Sequence, residues 1–204
     1  MTIAIVDHGH ANIGSVDNML RRLGERPVIA QTPGALRGCD KIVLPGIGAF
    51  DAVRRRLAET GFDDVLQDHV IGRKTPILGI CVGMQVMTEG SAEGTTPGFG
   101  WFAGKCERFA PSPGQVLRVP HMSWNAVVPN RNSRLFANTA EGARFYFVHS
   151  YRLERTAAPD VAATCVYGSP FVAAIERGNI FAVQFHPEKS HRFGMALYRA
   201  FIEL

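Results

Sequence analysis

The residue with the clearest chemical potential is Cys81, which stands between two glycines, Gly79 and Gly83. The apolar run over 77–80 indicates a buried strand, and residues 84–89 favour a helix. A strand, a sharp turn with a nucleophilic side chain and a helix form the nucleophile-elbow pattern, here with cysteine instead of serine. Glycine is needed beside the turn because a Cβ would clash there, and the start of a helix favours the reactive thiolate. The alternative is a buried structural cysteine between two of the chain's 21 glycines.

A cysteine nucleophile requires a base, and the base requires a group that orients it. Among the seven histidines, His186 has the best context, because it follows an apolar strand predicted over 180–185. Glu188 stands two residues later, across Pro187. Side chains two residues apart in an extended segment point to the same side, and proline keeps the segment out of a helix. Glu188 is therefore predicted to accept the far N–H of the imidazole. The alternative is a strand-end histidine beside a surface glutamate.

A third candidate is the run Pro45-Gly46-Ile47-Gly48, which follows a strand predicted over 41–44. In doubly wound sheets, ligands bind beyond the carboxyl ends of the strands. Two glycines at such a place allow backbone N–H groups to point at an oxygen that is becoming negatively charged. The plain alternative is an ordinary turn between a strand and a helix.

The elements that must position these residues alternate between strand and helix in the first half of the chain. Strands are predicted over 3–7, 28–30, 41–44 and 76–80, and helices over 13–23, 50–59 and 62–71. Asn12 is a candidate N-cap for the first of these helices. This alternation predicts an α/β protein with a largely parallel sheet and helices on both faces.

The second half is rich in short strands. They are predicted over 101–109, 116–119, 124–128, 144–153, 161–167, 171–176 and 180–185, and a final helix over 194–201. The short connections 168–170 and 177–179 suggest hairpins, which adds an antiparallel part to the sheet. No repeat or linker divides the sequence, so we expect a single domain over 1–204.

Composition narrows the class of protein. Hydrophobic residues make up 46% and charged residues 20%, as in ordinary globular proteins. There is neither an 18-residue apolar run nor the basic and apolar start of a signal peptide, which predicts no membrane partner. The net charge of +4 comes from scattered residues, so no nucleic-acid surface is expected. Four widely spaced cysteines argue against a zinc site or a disulfide scaffold and for the reducing cytoplasm; they are Cys39, Cys81, Cys106 and Cys165.

Six segments that occur in order along the chain carry a family resemblance. They are 7–12, 44–50, 79–85, 119–125, 146–151 and 184–190. With them the sequence resembles the class I glutamine amidotransferases, and more narrowly the glutaminase subunits of imidazole glycerol phosphate synthase from histidine biosynthesis. The resemblance implies the flavodoxin-like fold of that class, with a mixed, largely parallel central sheet flanked by helices.

The resemblance also implies roles for particular residues. Cys81 would be the nucleophile that forms a thioester with L-glutamine, His186 the general acid and base, and Glu188 the orienting carboxylate. The oxyanion hole would comprise backbone groups of Gly46, Ile47 and Val82. The glutamine-binding residues would be Gln85, Glu93, His149, Ser150 and Tyr151. The reaction needs no metal and no organic cofactor.

The implied partner is a separate cyclase subunit, a (β/α)8 barrel that forms a heterodimer with this chain. It would use the released ammonia to make imidazole glycerol phosphate and an aminoimidazole carboxamide ribotide. The residues expected at the interface are Asn12, Trp124 and Lys189. We expect low glutaminase activity without the partner, because a glycine-rich peptide at Gly46-Ile47 has two orientations and only one presents its N–H to the oxyanion.

The sequence departs from the usual family pattern at four positions, which are His8, Ala11, Val82 and Ser123. The changes in the first turn leave the identity of the partner more open than the glutaminase chemistry. Met84 argues against a chorismate-using partner, since such relatives usually carry histidine there. Three alternatives remain: a glutaminase for another synthase, such as one that amidates a nucleotide sugar; a cysteine peptidase or other hydrolase; and a non-enzymatic binding module.

Overall fold

The computed structural model describes residues 1–111, 114 and 116–204. The strands are β1 (Ile3–Val6), β2 (Val28–Ala30), β3 (Lys41–Gly46), β4 (Ile77–Cys81), β5 (Gly90–Ser91), β6 (Lys105–Arg108), β7 (His121–Ala126), β8 (Val128–Pro129), β9 (Arg144–His149), β10 (Tyr151–Leu153), β11 (Val161–Tyr167), β12 (Ser169–Arg177) and β13 (Ile180–Val183). The helices are α1 (Ile13–Arg22), α2 (Phe50–Glu59), α3 (Phe62–Gln67), α4 (Val82–Gln85) and α5 (His191–Glu203). Short 3-10 or π turns occupy Pro33–Leu36, Asp68–Gly72, Ala158–Asp160 and Pro187–Lys189.

The central sheet is mixed. Five strands run parallel in the order β2-β1-β3-β4-β13, and β12, β10 and β6 continue the sheet in antiparallel fashion. Strand β5 pairs in parallel with β6, and β11 joins β12 to β8. Strands β7 and β9 form a separate antiparallel pair. The predicted α/β class, with a parallel part followed by an antiparallel part, is confirmed.

The parallel strands form the centre of the hydrophobic core. Every residue of β1, β3, β4 and β13 is buried, as expected for strands covered on both faces, and this is why they read as continuous apolar runs. The register places Gly46 of β3 beside Cys81 of β4, and Val183 of β13 beside Ile80. The three chain segments that leave these strands therefore meet at one edge of the sheet.

The helix after Cys81 is shorter than the sequence indicates. Helix α4 ends at Gln85, whereas a helix was expected over 84–89. Beyond it, the carbonyl of Val86 accepts from the N–H of Phe99, and that of Met87 from Phe102. The N–H groups of residues 86–88 still donate to the preceding turn, but these two carbonyls bond to the following loop, so the helix does not continue.

Other predicted boundaries also change. The expected strand over 116–119 does not form, and Val116 is 95% exposed. Of the strand expected over 101–109 only β6 forms, and α5 begins at His191 instead of 194. Asn12 is the N-cap residue of α1, as predicted, but its side chain makes no capping hydrogen bond. Within the described residues, no helix is both long and apolar enough to cross a membrane.

Candidate active site

Cys81 lies in a strained turn at the junction of β4 and α4. Its φ of +55° falls in the left-handed region, which is unusual for a residue with a side chain. A Cβ at Gly83 would overlap the carbonyl oxygen of Leu44, and one at Gly79 would lie 2.8 Å from the carbonyl oxygen of Gly83. Both flanking glycines are therefore required by close backbone packing, and the predicted strand-turn-helix elbow is confirmed.

His186 and Glu188 form a buried pair beside this turn. Nδ1 of His186 donates to Oε1 of Glu188 at 2.7 Å, and both side chains are 2% exposed. The 3-10 turn that begins at Pro187 holds the two residues in this relation. Nε2 of His186 has no hydrogen-bond partner among the described residues. The bond at Nδ1 leaves Nε2 as the imidazole atom available for proton transfer.

Burial and nearby groups act in opposite directions on the pKa of His186. Burial, the largest single effect, lowers it, whereas the charge and contact of Cys81 and the hydrogen bond to Glu188 raise it. The net result is a pKa raised to about 10. At neutral pH this favours an imidazolium at His186 beside the Cys81 side chain, an arrangement suited to protonation of a leaving group.

A cavity of about 430 Å³ opens beside Cys81 and His186. Its other lining residues are Ile47, Gly48, Val82, Gln85, Glu93, Pro120, Val148, His149, Ser150, Tyr151 and Lys189. All five residues predicted to bind glutamine are thus on its wall. Gly46 and Glu188 are not, since Gly46 lies beside Cys81 within the sheet and Glu188 lies behind His186. Sequence reasoning missed Pro120 and Val148, which carry no chemical signal.

Two of the wall residues are held by bonds to distant parts of the chain. Oε2 of Glu93 accepts from the backbone N–H of Phe50, at the start of α2, at 2.8 Å. Nε2 of Gln85 donates to the carbonyl of Tyr151 at 3.1 Å and to Oε1 of Gln184 at 3.1 Å. Gln184 was not singled out from the sequence. The sequence nevertheless contains a feature that could identify Gln184, because it is a polar residue within an otherwise apolar run that leads to His186.

His149 contributes to the wall as a neutral side chain. Its Nδ1 donates to the carbonyl of Tyr151 at 2.8 Å, so its Nε2 accepts from Nδ1 of His121 at 3.2 Å. Burial, the main cause in both, lowers the pKa of His149 to about 3 and that of His121 to about 4. Both ring nitrogens of His149 are therefore used to fix the segment that carries Tyr151.

The Gly46-Ile47 peptide is bonded away from the cysteine. The N–H of Ile47 donates to the carbonyl of His10 at 2.8 Å. Nε2 of His8 donates to the carbonyl of Pro45 at 2.8 Å, which holds the same segment from a second side. In this conformation the N–H of Ile47 is not available to an oxyanion at Cys81.

Of the three residues expected at a partner interface, Lys189 lines the cavity, whereas Asn12 and Trp124 do not. Asn12 is partly buried before α1, and the Trp124 indole stacks on His191 with ring centroids 5.4 Å apart. Lys189 is exposed at the cavity rim, with Nζ 5.8 Å from the ring centroid of Tyr146. In the described part of the chain, no group of three or more His, Cys, Asp or Glu side chains could hold a metal ion.

Comparisons with known proteins agree with this geometry. The family model for class-I glutamine amidotransferases matches residues 4–204. The chain is 44% identical over 203 residues to an imidazole glycerol phosphate synthase subunit HisH of Leptospira interrogans, covering 99% of this chain and 100% of that protein. It is 41% identical over 202 residues to subunit HisH 2 of Pseudomonas aeruginosa, covering 99% of each.

Solved structures support the fold. A crystal structure of a glutamine amidotransferase superposes with a TM-score of 0.74 at 19% identity, covering 98% of this chain and 97% of that one. A structure of PurLQS from Thermotoga maritima gives 0.70 at 20% identity, covering 99% and 97%. The chain therefore belongs to the class-I glutamine amidotransferase family, within the group of HisH subunits of imidazole glycerol phosphate synthase.

Proposed function

We propose that Cys81, His186 and Glu188 carry out the glutaminase reaction of this HisH-type subunit. The Cys81 thiolate attacks the side-chain amide carbon of glutamine, and the C–N bond breaks as His186 protonates the departing ammonia. Water then attacks the carbonyl carbon of the γ-glutamyl thioester, with His186 accepting its proton, and the C–S bond breaks to release glutamate and regenerate the Cys81 thiolate. The observation that carries this proposal is the buried His186–Glu188 pair beside a strained Cys81 at one cavity.

Recognition of glutamine is assigned to the same cavity. Glu93 offers a carboxylate to the α-amino group, and the segment from His149 to Tyr151 lies on the wall where the α-carboxylate would sit. Gln85 supports this segment through the Tyr151 carbonyl. The remaining oxyanion donor would be the backbone N–H of Val82, directly after the nucleophile.

The direct test of the catalytic assignment is the variant Cys81→Ala, assayed for glutamate release in the presence of the partner subunit. We expect turnover to be lost while the melting temperature stays close to that of the wild type. Hydrolysis at the wild-type rate by this variant would show that the nucleophile lies elsewhere.

A partner subunit is implied because the relatives are named as subunits of a synthase. We propose that this partner is a (β/α)8 cyclase subunit that forms a heterodimer with the chain through Asn12, Trp124 and Lys189, and that it receives the ammonia for imidazole glycerol phosphate formation in histidine biosynthesis. Supporting this, Lys189 is exposed at the cavity rim, where a docked protein would meet released ammonia.

We further propose that the isolated chain is a weak glutaminase. The Ile47 N–H must leave the His10 carbonyl before it can stabilise an oxyanion. Since loss of one oxyanion donor typically costs about 100-fold or more in turnover, partner binding should raise turnover by about that factor. Glutaminase assays with and without the cyclase subunit and its nucleotide ligand test this. Full activity of the isolated chain would contradict it, and stimulation by a different synthase would reassign the partner.

A cytoplasmic location is proposed on the basis of cysteine chemistry. All four cysteines are free and buried in the structure. Free thiols, one of them the proposed nucleophile, fit a reducing compartment. Fractionation of cell extracts followed by detection of the chain would check the location.

A further inference from the structure

Gln184 is a wholly buried polar residue whose side chain lies between Cys81 and Gln85. It follows β13, the parallel neighbour of the strand that carries the nucleophile. A buried amide requires hydrogen-bond partners for both its oxygen and its nitrogen. The partners of Gln184 therefore bear on the chemistry of Cys81.

The surrounding bonds decide which end of the Gln184 amide faces the sulfur. The Tyr151 carbonyl is only an acceptor, so the group of Gln85 that faces it must be the NH2. The same NH2 of Gln85 also faces Gln184, so Gln184 must present its oxygen there, at 3.1 Å. The nitrogen of Gln184 is then directed at Sγ of Cys81, at a distance of 3.7 Å.

We propose that Gln184 is a positioning residue that donates an N–H to the Cys81 sulfur and stabilises its thiolate. This proposal rests on the proposed role of Cys81 as the nucleophile of the glutaminase reaction. The amide supplies a neutral donor in addition to the imidazolium of His186, and it does not compete for the proton that His186 must transfer. Gln85, which lines the glutamine cavity, holds the amide of Gln184 in the donating orientation.

Two substitutions remove the donor in different ways. Gln184→Met has similar length but no N–H, whereas Gln184→Glu has the same shape and places oxygens at both ends. A carboxylate next to the sulfur disfavours the thiolate more than a thioether does, since like charges repel. The thiolate should therefore be most stable in the wild type, less stable in Gln184→Met and least stable in Gln184→Glu. The matched control is Gln67→Met, at an exposed glutamine that does not line the cavity and whose side chain, within the described residues, accepts a hydrogen bond only from the indole of Trp101.

The readout is alkylation of Cys81 by iodoacetamide as a function of pH, with mass spectrometry to identify the labelled cysteine. We expect the rate at pH 7 to fall about tenfold in Gln184→Met, because a hydrogen bond to a charged group is lost. The midpoint of the pH profile should move to higher pH, and the rate above that midpoint should recover. In glutamine assays with the partner, kcat should fall more than KM changes.

An unchanged alkylation midpoint in both variants would overturn the proposal, even if their melting temperatures fall, since a purely structural role predicts that outcome. The experiment also separates this proposal from the proposed function. If the midpoint shifts but the wild type hydrolyses no glutamine, the role of Gln184 stands and the glutaminase assignment fails. If the wild type is an active glutaminase and the midpoint does not shift, only the role of Gln184 fails.

Discussion

Individual side chains create the chemistry of the site through hydrogen bonds that orient them and burial that changes their protonation. His186 illustrates both effects, because burial alone would make it neutral, whereas Cys81 and Glu188 raise its pKa to about 10. His121 and His149 illustrate the opposite case, since burial prevails there and their pKa values fall to about 4 and 3. Histidine is thus favoured as an imidazolium in one place and as a neutral side chain in another.

The variant Glu188→Gln tests the orientation of His186. An amide in place of the carboxylate removes the negative charge that helps to raise the pKa of His186, and it no longer fixes the imidazole tautomer. We expect kcat for glutamine hydrolysis to fall about 100-fold, with little change in KM, in steady-state assays with the partner. Glu154→Gln, at an exposed carboxylate paired with Arg152, is the control and should retain activity. A kcat within twofold of the wild type for Glu188→Gln would refute the role.

The buried pair His121 and His149 predicts sensitivity to acid. Both folded pKa values lie below the 6.5 of an ordinary histidine, so below pH 6.5 the unfolded chain binds more protons than the folded one. The stability that these two neutral histidines contribute to the folded state is therefore fully present above pH 6.5. It is lost as the pH falls towards 4 and then 3. The free energy of unfolding in urea is measured at several pH values. Its slope against pH should be smaller in His121→Phe, by the amount that corresponds to about one proton. An unchanged slope would contradict the assignment. Phenylalanine suits the site because His121 stacks between Phe147 and Tyr167.

At the scale of elements, the nucleophile elbow depends on two strands and a short helix that approach each other very closely. Gly83 at the start of α4 lies against the backbone of Leu44 in β3, and Gly46 of the same strand lies against Gly83. This contact places the Gly46-Ile47 peptide next to Cys81. The absence of side chains at these glycines thus brings the proposed nucleophile next to the peptide that is proposed to supply an oxyanion donor.

The variant Gly83→Ala tests this close approach. The added methyl group would overlap the Leu44 carbonyl, and backbone on both sides leaves it no room. We expect a loss of about 3 kcal/mol or more in unfolding free energy, measured by urea denaturation. The matched control is Gly14→Ala in α1, where no atom lies within 4 Å of the new Cβ. That variant should be neutral or more stable by up to about 1 kcal/mol, because alanine favours the helix. Equal effects of the two substitutions would contradict the packing argument.

At the scale of the whole molecule, the mixed sheet joins the two halves of the chain. Strand β13, from the second half, pairs with β4, from the first, and the active site forms where both end. Cys81 and His186 therefore reach each other only when β13, from the second half of the chain, has paired with β4 in the parallel part of the sheet. We expect residues 1–204 to unfold as one domain for this reason.

The two tryptophans allow that expectation to be measured. Trp101 follows the elbow region and stacks on Phe99, whereas Trp124 belongs to β7 and stacks on His191. In Trp124→Phe the remaining tryptophan fluorescence comes from Trp101, after the elbow region. In Trp101→Phe it comes from Trp124, in β7. For each variant, the urea unfolding transition followed by tryptophan fluorescence should coincide with the transition followed by circular dichroism. Two separate midpoints within one variant would indicate two domains.

The sequence alone determined those parts of the site that depend on residues near one another in the chain. The order strand, Gly79, Cys81, Gly83 and helix specifies a tight turn, because backbone sterics at such a turn depend mainly on local residues. His186 and Glu188 are also paired by local structure, because the 3-10 turn that begins at Pro187 brings the two side chains together; the extended segment predicted there is wrong, although the pairing is confirmed. The parallel strands were also predictable, since burial on both faces requires continuous apolar runs.

Only the tertiary structure decided how distant residues bond to these groups. The amide of Gln184 reaches Cys81 across 103 positions in sequence, and that of Gln85 reaches Tyr151 across 66. The direction of the Ile47 N–H towards His10 was likewise undetermined, because a glycine-rich peptide adopts either orientation at similar cost. The lengths of the helix after Cys81 and of the strands after it depended on which loop offered hydrogen bonds. These features are determined by residues that are far away in the sequence, so local residue patterns do not predict them.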